Sequence, residues 1–426
     1  MKFRLNSGLL TSAKSNRYFK YFILFLAFPF IKIGVSITFY LFIFLVYSLK
    51  KEGNRISFKP GPSSYLFYTF FLIAFGSLVF APWSELQDFN FGDIILLIQY
   101  MYWVLVAVFF IKSYKFIHFS SLNQIIFVGL CLLFINFFLF NFKVPIPFLN
   151  TYITRNSFVY NVLALWPFAA SHIYSTFGKG KGNFSLVVVF ILMLLTDGRA
   201  GVVVILLENL LIFAIFNRKS VSLIRYLVIF LIPISILFSE KLNSDDTRQS
   251  LGNALMPYSE RIGNFLIGEG IEGDLSMDKS WLTRKLMIEK GFEIIELHPF
   301  FGVGIGHFTS YKAELENLFS SDYSRLTGGV YDETFYNARS AHNSYIHVMG
   351  EMGLLGLAVL VLILLKPLLM AVGLILSNRL NESHLSYIAL IGICVHFYTI
   401  TTLPGTITWL VIGLASGRVR HKIRSS

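Results

Sequence analysis

Apolar runs close to membrane-crossing length follow one another along most of this chain, with short basic connections between them. A perpendicular helix needs about 20 apolar residues to cross a ~30 Å hydrocarbon core. Helices and closed barrels are the structures that satisfy their own backbone polar groups in that solvent. Beyond the first run, spans are read near 65–81, 93–111, 123–141, 157–177, 184–197, 200–216, 222–239, 345–376, 385–403 and 404–417. Charged residues make up only 14% of the chain, while 55% are hydrophobic and 45 are Phe. An ordinary soluble domain is about 25% charged, so there is too little polar surface to cover a water-soluble fold. A soluble enzyme, a disordered regulator and a disulfide scaffold are poor fits. The expected fold class is all-α: a polytopic membrane protein of about 12 transmembrane helices with a large, partly helical loop.

The net charge of +12 would suit a nucleic-acid binder only if it formed a patch. Instead it is distributed among the connections. The first apolar run, Tyr21 to Tyr47, has 27 residues. As one helix it would be ~40 Å long, more than a single crossing requires. Lys2, Arg4, Lys14, Arg17 and Lys20 precede it, and Lys50, Lys51, Arg55 and Lys59 follow it. Basic segments stay cytoplasmic, so the run is read as a hairpin around Pro29 and Lys32, an anchor and not a cleaved leader. The other cytoplasmic connections then carry Lys112 and Lys115; Lys179 and Lys181; Arg218, Lys219 and Arg225; Arg379; and Arg418, Arg420, Lys422 and Arg424. Short external connections hold only Lys143, Arg155 and Arg199. Both termini are thus expected in the cytoplasm; the alternative is one span fewer, with the N-terminus outside. Cys131 and Cys394 lie within apolar runs, without metal-ligand spacing.

Residues 240–342 interrupt this alternation with a long, net acidic external segment. The chain therefore divides into an N-terminal transmembrane bundle (1–239), an external loop domain (240–342) and C-terminal transmembrane helices (343–426). Long ordered loops usually carry function. After Asp278 a helical period places Arg284, Ile288, Phe292 and Ile295 on one face, and Pro299 with the following glycines ends it. Such an amphipathic helix, tethered at both sides to spans, is expected to lie along the bilayer surface.

Four places in the sequence suit chemistry. Arg199 stands at the external membrane edge, at the start of a helix, where both the guanidinium and the helix N-terminus favour an anion. The plainer role is an interfacial Arg that snorkels to headgroups. Arg284 heads the amphipathic helix; alone it reads as a solvated charge. His298-Pro-Phe-Phe-Gly-Val-Gly-Ile-Gly-His307 follows no strand, so its glycines read as a tight turn allowing close backbone approach, not a dinucleotide site. His298 and His307 could be ligands, but surface or helix-capping roles are expected for them. His342 falls where the loop re-enters the membrane, and a neutral imidazole there can take a hydroxyl proton near pH 7. His347 is five residues on, a poor partner on a helix face, so no metal pair is read. Asp245 and Asp246 form a turn-like pair, and no Walker loop or Ser/His/Asp set is recognisable.

Taken together and in order, Thr196-Asp-Gly-Arg-Ala-Gly201, the Arg284 helix with His298-Pro-Phe-Phe-Gly-Val-Gly304, and His342-Asn-Ser-Tyr-Ile-His-Val-Met-Gly-Glu-Met-Gly-Leu-Leu-Gly356 resemble the O-antigen ligase and O-antigen polymerase superfamily of bacterial envelope glycosyltransferases. The resemblance implies a GT-C-like helical fold in the bacterial inner membrane with the large loop in the periplasm. It implies an undecaprenyl-diphosphate-linked glycan as donor and a sugar hydroxyl as acceptor, on a lipid-linked repeat unit or on lipid A core. Transfer would be inverting and metal-independent, with no cofactor. Arg199 and Arg284 would bind the donor diphosphate, and His342 would activate the acceptor. Arg339 is a further candidate for a phosphate contact. Membrane lipids, a flippase and a chain-length regulator are the implied partners, and nucleic acid is not. Where the family often shows Ser-Arg-Gly this chain has Asp197-Gly198-Arg199, which keeps the Arg but changes its neighbours. The Arg284 helix lacks the Gly-Arg pair associated with many ligases, so polymerase is favoured over ligase. A transporter or lipid-glycan flippase is the competing class. It fits the span count but not the absence of recognisable repeat-related halves.

Overall fold

The structure is a computed structural model that describes residues 13–27, 32–33, 35–51, 58, 60–62, 64–86, 89–140, 155–196, 199–217, 253, 279–313, 340–377, 379–398, 401 and 405–425. The expected span at 222–239 lies outside them, as do Arg339 and the pair Asp245 and Asp246.

Among the described residues the fold is helical, apart from one short antiparallel bridge. That bridge, Lys32–Ile33 with Val35–Ser36, turns the chain between α1 (Ala13–Phe25) and α2 (Ile37–Lys51). The first apolar run is therefore two helices. Phe22 meets Phe42 at 5.7 Å between ring centroids, and Tyr18 meets Phe44 at 5.8 Å. The remaining helices are α3 (Tyr65–Val79), α4 (Phe91–Ser113), α5 (Phe119–Phe140), α6 (Arg155–Leu194), α7 (Arg199–Phe216), α8 (Lys279–Leu297), α9 (Ser344–Leu376), α10 (Leu385–Phe397) and α11 (Thr406–Ser425). Two of them hide a break. Gly178, at φ 81°, splits α6 where two expected spans meet, and Gly353, at φ 67°, splits α9.

Among the described residues, four stretches are long and apolar enough to cross a membrane: Phe91–Phe116, Phe119–Phe137, Ser157–Leu194 and Ser344–Leu376. Shorter apolar helices, Tyr65–Val79, Gly201–Phe216, Glu382–Phe397 and Thr406–Val419, pack among them.

Small residues bring the helices together, since a bilayer offers no hydrophobic drive between apolar faces. A Cβ at Gly413 of α11 would stand 2.7 Å from the Ala107 carbonyl oxygen of α4, and one at Gly417 would stand 2.9 Å from the Tyr114 Cβ. Trp409 of α11 is fully buried against Phe70 at 5.3 Å and Phe67 at 6.2 Å. Polar side chains cross-link the rest. Trp166 of α6 donates to Asn209 of α7 at 2.7 Å, and Asn209 donates to the Leu186 carbonyl at 3.0 Å.

The bundle has two chemically distinct ends. At one, Arg418 donates to the Tyr114 hydroxyl at 3.3 Å and lies 3.4 Å from the His384 ring nitrogen. This end also carries Lys112, Lys115 and Arg379. At the other end residues 80–86 and 89–91, the segment 298–313 and the start of α9 meet, and the candidate site is built there.

Candidate functional site

The site rests on the break in α9. A helix interrupted at Gly353 leaves carbonyls and an N–H without intrahelical partners, and a buried segment must find others. The glycine turn supplies them. Val303 N–H donates to Gly350 O at 2.9 Å, Gly304 N–H donates to Glu351 O at 3.0 Å, and Leu354 N–H donates to Pro299 O at 2.8 Å. Gly302, Gly304 and Gly306 all have positive φ. A Cβ at Gly302 would overlap the Gly350 carbonyl oxygen, and one at Gly353 would overlap that of Phe300. The turn and the broken helix, which are separate motifs in the sequence, form one structural unit. The expectation of close backbone approach is met here.

Buried polar side chains lock this unit. Glu351 Oε1 accepts from Gly306 N–H at 2.9 Å, and the Phe308 N–H also bonds to the carboxylate. His347 Nε2 lies 3.2 Å from the same oxygen, and the Tyr100 hydroxyl of α4 donates to Oε2 at 3.5 Å. His307 is buried, with Nε2 3.2 Å from Asp93 Oδ1 and its ring edge-on to Trp83. Asp93 Oδ2 also accepts from Asn90 N–H at 2.8 Å, so one carboxylate both caps α4 and meets the turn. His307 thus has an interior role, correcting the expectation of a surface or capping residue. His298 is partly exposed and 3.2 Å from Glu85.

The helix bearing Arg284 docks on the unit from the side. Gly291 of α8 lets Ile346 of α9 pack so closely that a Cβ would overlap it. Leu286, Met287 and Ile294 are buried on the same arc. The Lys290 Nζ, also buried, donates to the Tyr311 carbonyl at 2.6 Å and sits 5.2 Å from the Phe308 ring centroid. Burial drives the Lys290 amine down from near 10.5 to about 7, opposed by the neighbouring Glu293 charge. The face read from the sequence, Arg284, Ile288, Phe292 and Ile295, is the outer one: Arg284 and Phe292 are exposed and the two isoleucines half-buried. The helix therefore has two apolar faces, one of which is held by protein.

His342 and Arg284 stand at this same end. His342 is half-buried and has φ 48°, the one non-glycine residue at positive φ among the described residues. Holding a non-glycine residue there costs roughly 1–3 kcal/mol and is commonest at functional sites. Asn343 follows at once and caps α9, accepting from Tyr345 N–H at 2.9 Å and Ile346 N–H at 3.1 Å. Tyr345 in turn donates to the Cys394 carbonyl of α10 at 3.1 Å. The Arg284 charge reaches His396, near the end of that helix. Arg199 opens α7, but its side chain lies outside the described residues. No group of three metal-ligating side chains occurs among the described residues.

Sequence reasoning missed Glu351, Asp93, Tyr100, Lys290 and His396. Only Glu351 left a readable signal, four residues after His347 and so on the same helix face. The partners of the others are remote in sequence.

Residues 184–361 match the family model described as O-antigen ligase. Over this stretch the chain is similar to the O-antigen ligase family. The stretch runs from within α6 to within α9 and so includes Arg199, Arg284, the glycine turn and His342. The match supports the O-antigen ligase and polymerase superfamily, and the membrane-crossing helices agree with a membrane enzyme of that kind. No curated protein is similar enough to be matched to the chain.

Proposed function

We propose that this protein is an inner-membrane glycosyltransferase that moves a glycan from undecaprenyl diphosphate to a sugar hydroxyl. The observation that carries the reading is the joint placement of the Arg284 helix and His342 against one buried unit at one end of the bundle. In the proposed reaction the acceptor oxygen attacks the anomeric carbon, the C–O bond to the diphosphate breaks, and its electron pair leaves on the phosphate oxygen. The acceptor proton passes to His342. A positioned base of this type contributes ~10²–10⁴-fold. Arg284 and Arg199 meet the charge that grows on the leaving group, where fixed guanidiniums act with little reorganisation. Arg339 is proposed as an additional phosphate contact. Attack opposite the leaving group inverts the anomeric centre, and the arginines take the place of a metal.

The proposed topology has about 12 crossings, both termini in the cytoplasm and the 240–342 segment in the periplasm; the basic end around Arg418 supports that orientation. The favoured acceptor is a lipid-linked repeat unit, which makes the protein a surface-polysaccharide polymerase working beside a flippase and a chain-length regulator. The ligase reading, with lipid A core as acceptor, is favoured by the description of the matching family.

The test is the envelope polysaccharide of a strain lacking the gene, resolved by gel and complemented with wild type, Arg284→Ala or His342→Ala. Core bearing a single repeat, extended to a ladder by wild type alone, establishes the polymerase. Bare core with polymer retained on the carrier lipid establishes the ligase. Full rescue by both variants, correctly inserted, removes the enzyme reading and leaves a transporter.

A further inference from the structure

The tip of the glycine turn points two ways. Phe301 faces the protein: its Cε1 is 3.0 Å from where a Gly76 Cβ would stand, and its ring is 5.0 Å from that of Phe80. Phe300, its neighbour, faces outward and is 65% exposed. Phe80, at the end of α3, is 66% exposed, and Leu354, whose N–H is bonded to Pro299, is 47% exposed. Three exposed apolar side chains, Phe300, Phe80 and Leu354, thus stand at or beside Pro299–Phe301. Exposed apolar patches mark contacts with another phase or partner.

What covers this surface follows from its continuation. Leu354 follows the Gly353 break within the apolar stretch Ser344–Leu376, and exposed Val361, Leu365 and Leu369 continue along the same helix. That flank faces acyl chains, so the patch is the upper end of a lipid-facing surface. Its other border is polar: His298 and Glu85 pair at 3.2 Å beside it, both partly exposed, with Trp83 near by. Charged pairs and amphipathic rings of this kind suit the headgroup layer.

We propose that Pro299–Phe301 is a membrane-inserted wedge, with Phe300 in the acyl chains of the adjacent leaflet and the His298–Glu85 pair in its headgroups. The wedge fixes the depth of the unit that carries α8. Arg284 is thereby held at the level where a lipid-borne phosphate sits, although the placement of Phe300 stands on geometry alone and does not require the glycosyltransferase reading.

The test uses nitroxide labels on the full chain in phosphatidylcholine–phosphatidylglycerol vesicles, with Cys131→Ser and Cys394→Ser as background. Phe300→Cys and Phe80→Cys are labelled separately, with Glu296→Cys as the aqueous control. Collision with oxygen should exceed collision with a water-soluble nickel chelate at residues 300 and 80, and the order should reverse at residue 296. Nickel access at 300 equal to that at 296 would put the tip in water and overturn the proposal. Exclusion of both reagents at 300 would overturn it in favour of a protein partner. The Phe80 label supplies the readout if labelling at 300 disturbs insertion.

Discussion

Replacing Glu351 by Ala should loosen the joint between the glycine turn and the broken helix. The carboxylate accepts from two backbone N–H groups, of Gly306 and Phe308, and more weakly from Tyr100 at 3.5 Å. These donors, and the His347 ring nitrogen 3.2 Å from Oε1, would lose their partner in a buried place, and each strongly bonded donor so orphaned costs ~1–3 kcal/mol. Two such donors and a small cavity come to roughly 4 kcal/mol. With ~2.1 cal/mol/K of unfolding entropy per residue, spread over 426 residues, that lowers the melting temperature by roughly 4 °C. Glu351→Gln keeps a carbonyl oxygen for Gly306 and should lose about 1 °C on the same scale. The assay is thermal unfolding of the detergent-solubilised protein. If Ala melts with the wild type, or Gln falls as far as Ala, the carboxylate is not what holds the turn.

Lys290 gives a pH-dependent counterpart. Its amine is held near 7 when folded and near 10.5 when free, so between these values the unfolded chain binds more protons and wild-type stability rises with pH. Lys290→Met lacks this term; its melting advantage over wild type should be largest below pH 7 and disappear as pH approaches 10.5, and a constant difference would refute the assignment. His342→Gly keeps the φ 48° backbone accessible but should fail to restore the polysaccharide ladder; a restored ladder would refute the role assigned to the imidazole. Gly353→Ala places a Cβ on the Phe300 carbonyl and should undock the turn. Protease cleavage within 298–313, absent in wild type, would report it, and an uncut variant would argue against the clamp.

The helical character, the first-run hairpin and the boundaries of α8 follow from local rules: apolar length, charge flanks and a Pro-Gly stop. Arg284 and His342 stand out as candidates by residue type and by their position next to apolar runs, but the sequence does not give their arrangement. That His298–Gly304 fills the gap at Gly353 depends on hydrogen bonds between segments remote in sequence, and no periodicity records those. Asp93 completes the capping box that Asn90 opens on α4, but its second partner, His307, comes from a loop remote in sequence. The second arc of α8, with Leu286, Met287 and Ile294 held by the protein, went unread because spacing alone does not say which arc the protein takes.

The tight seam between α11 and α4 also dictates an order of assembly. Gly413 and Gly417 seat against a helix synthesised about 300 residues earlier, on the Ala107 and Tyr114 surface. Until α11 emerges from the ribosome, α4 has an open groove, and Phe67 and Phe70 lack the indole that closes them in. The bundle can gather helix by helix during insertion, yet it closes only with one of its last members. A nascent chain stopped before α11 should therefore remain an unlocked intermediate in the bilayer, open to membrane chaperones and proteases.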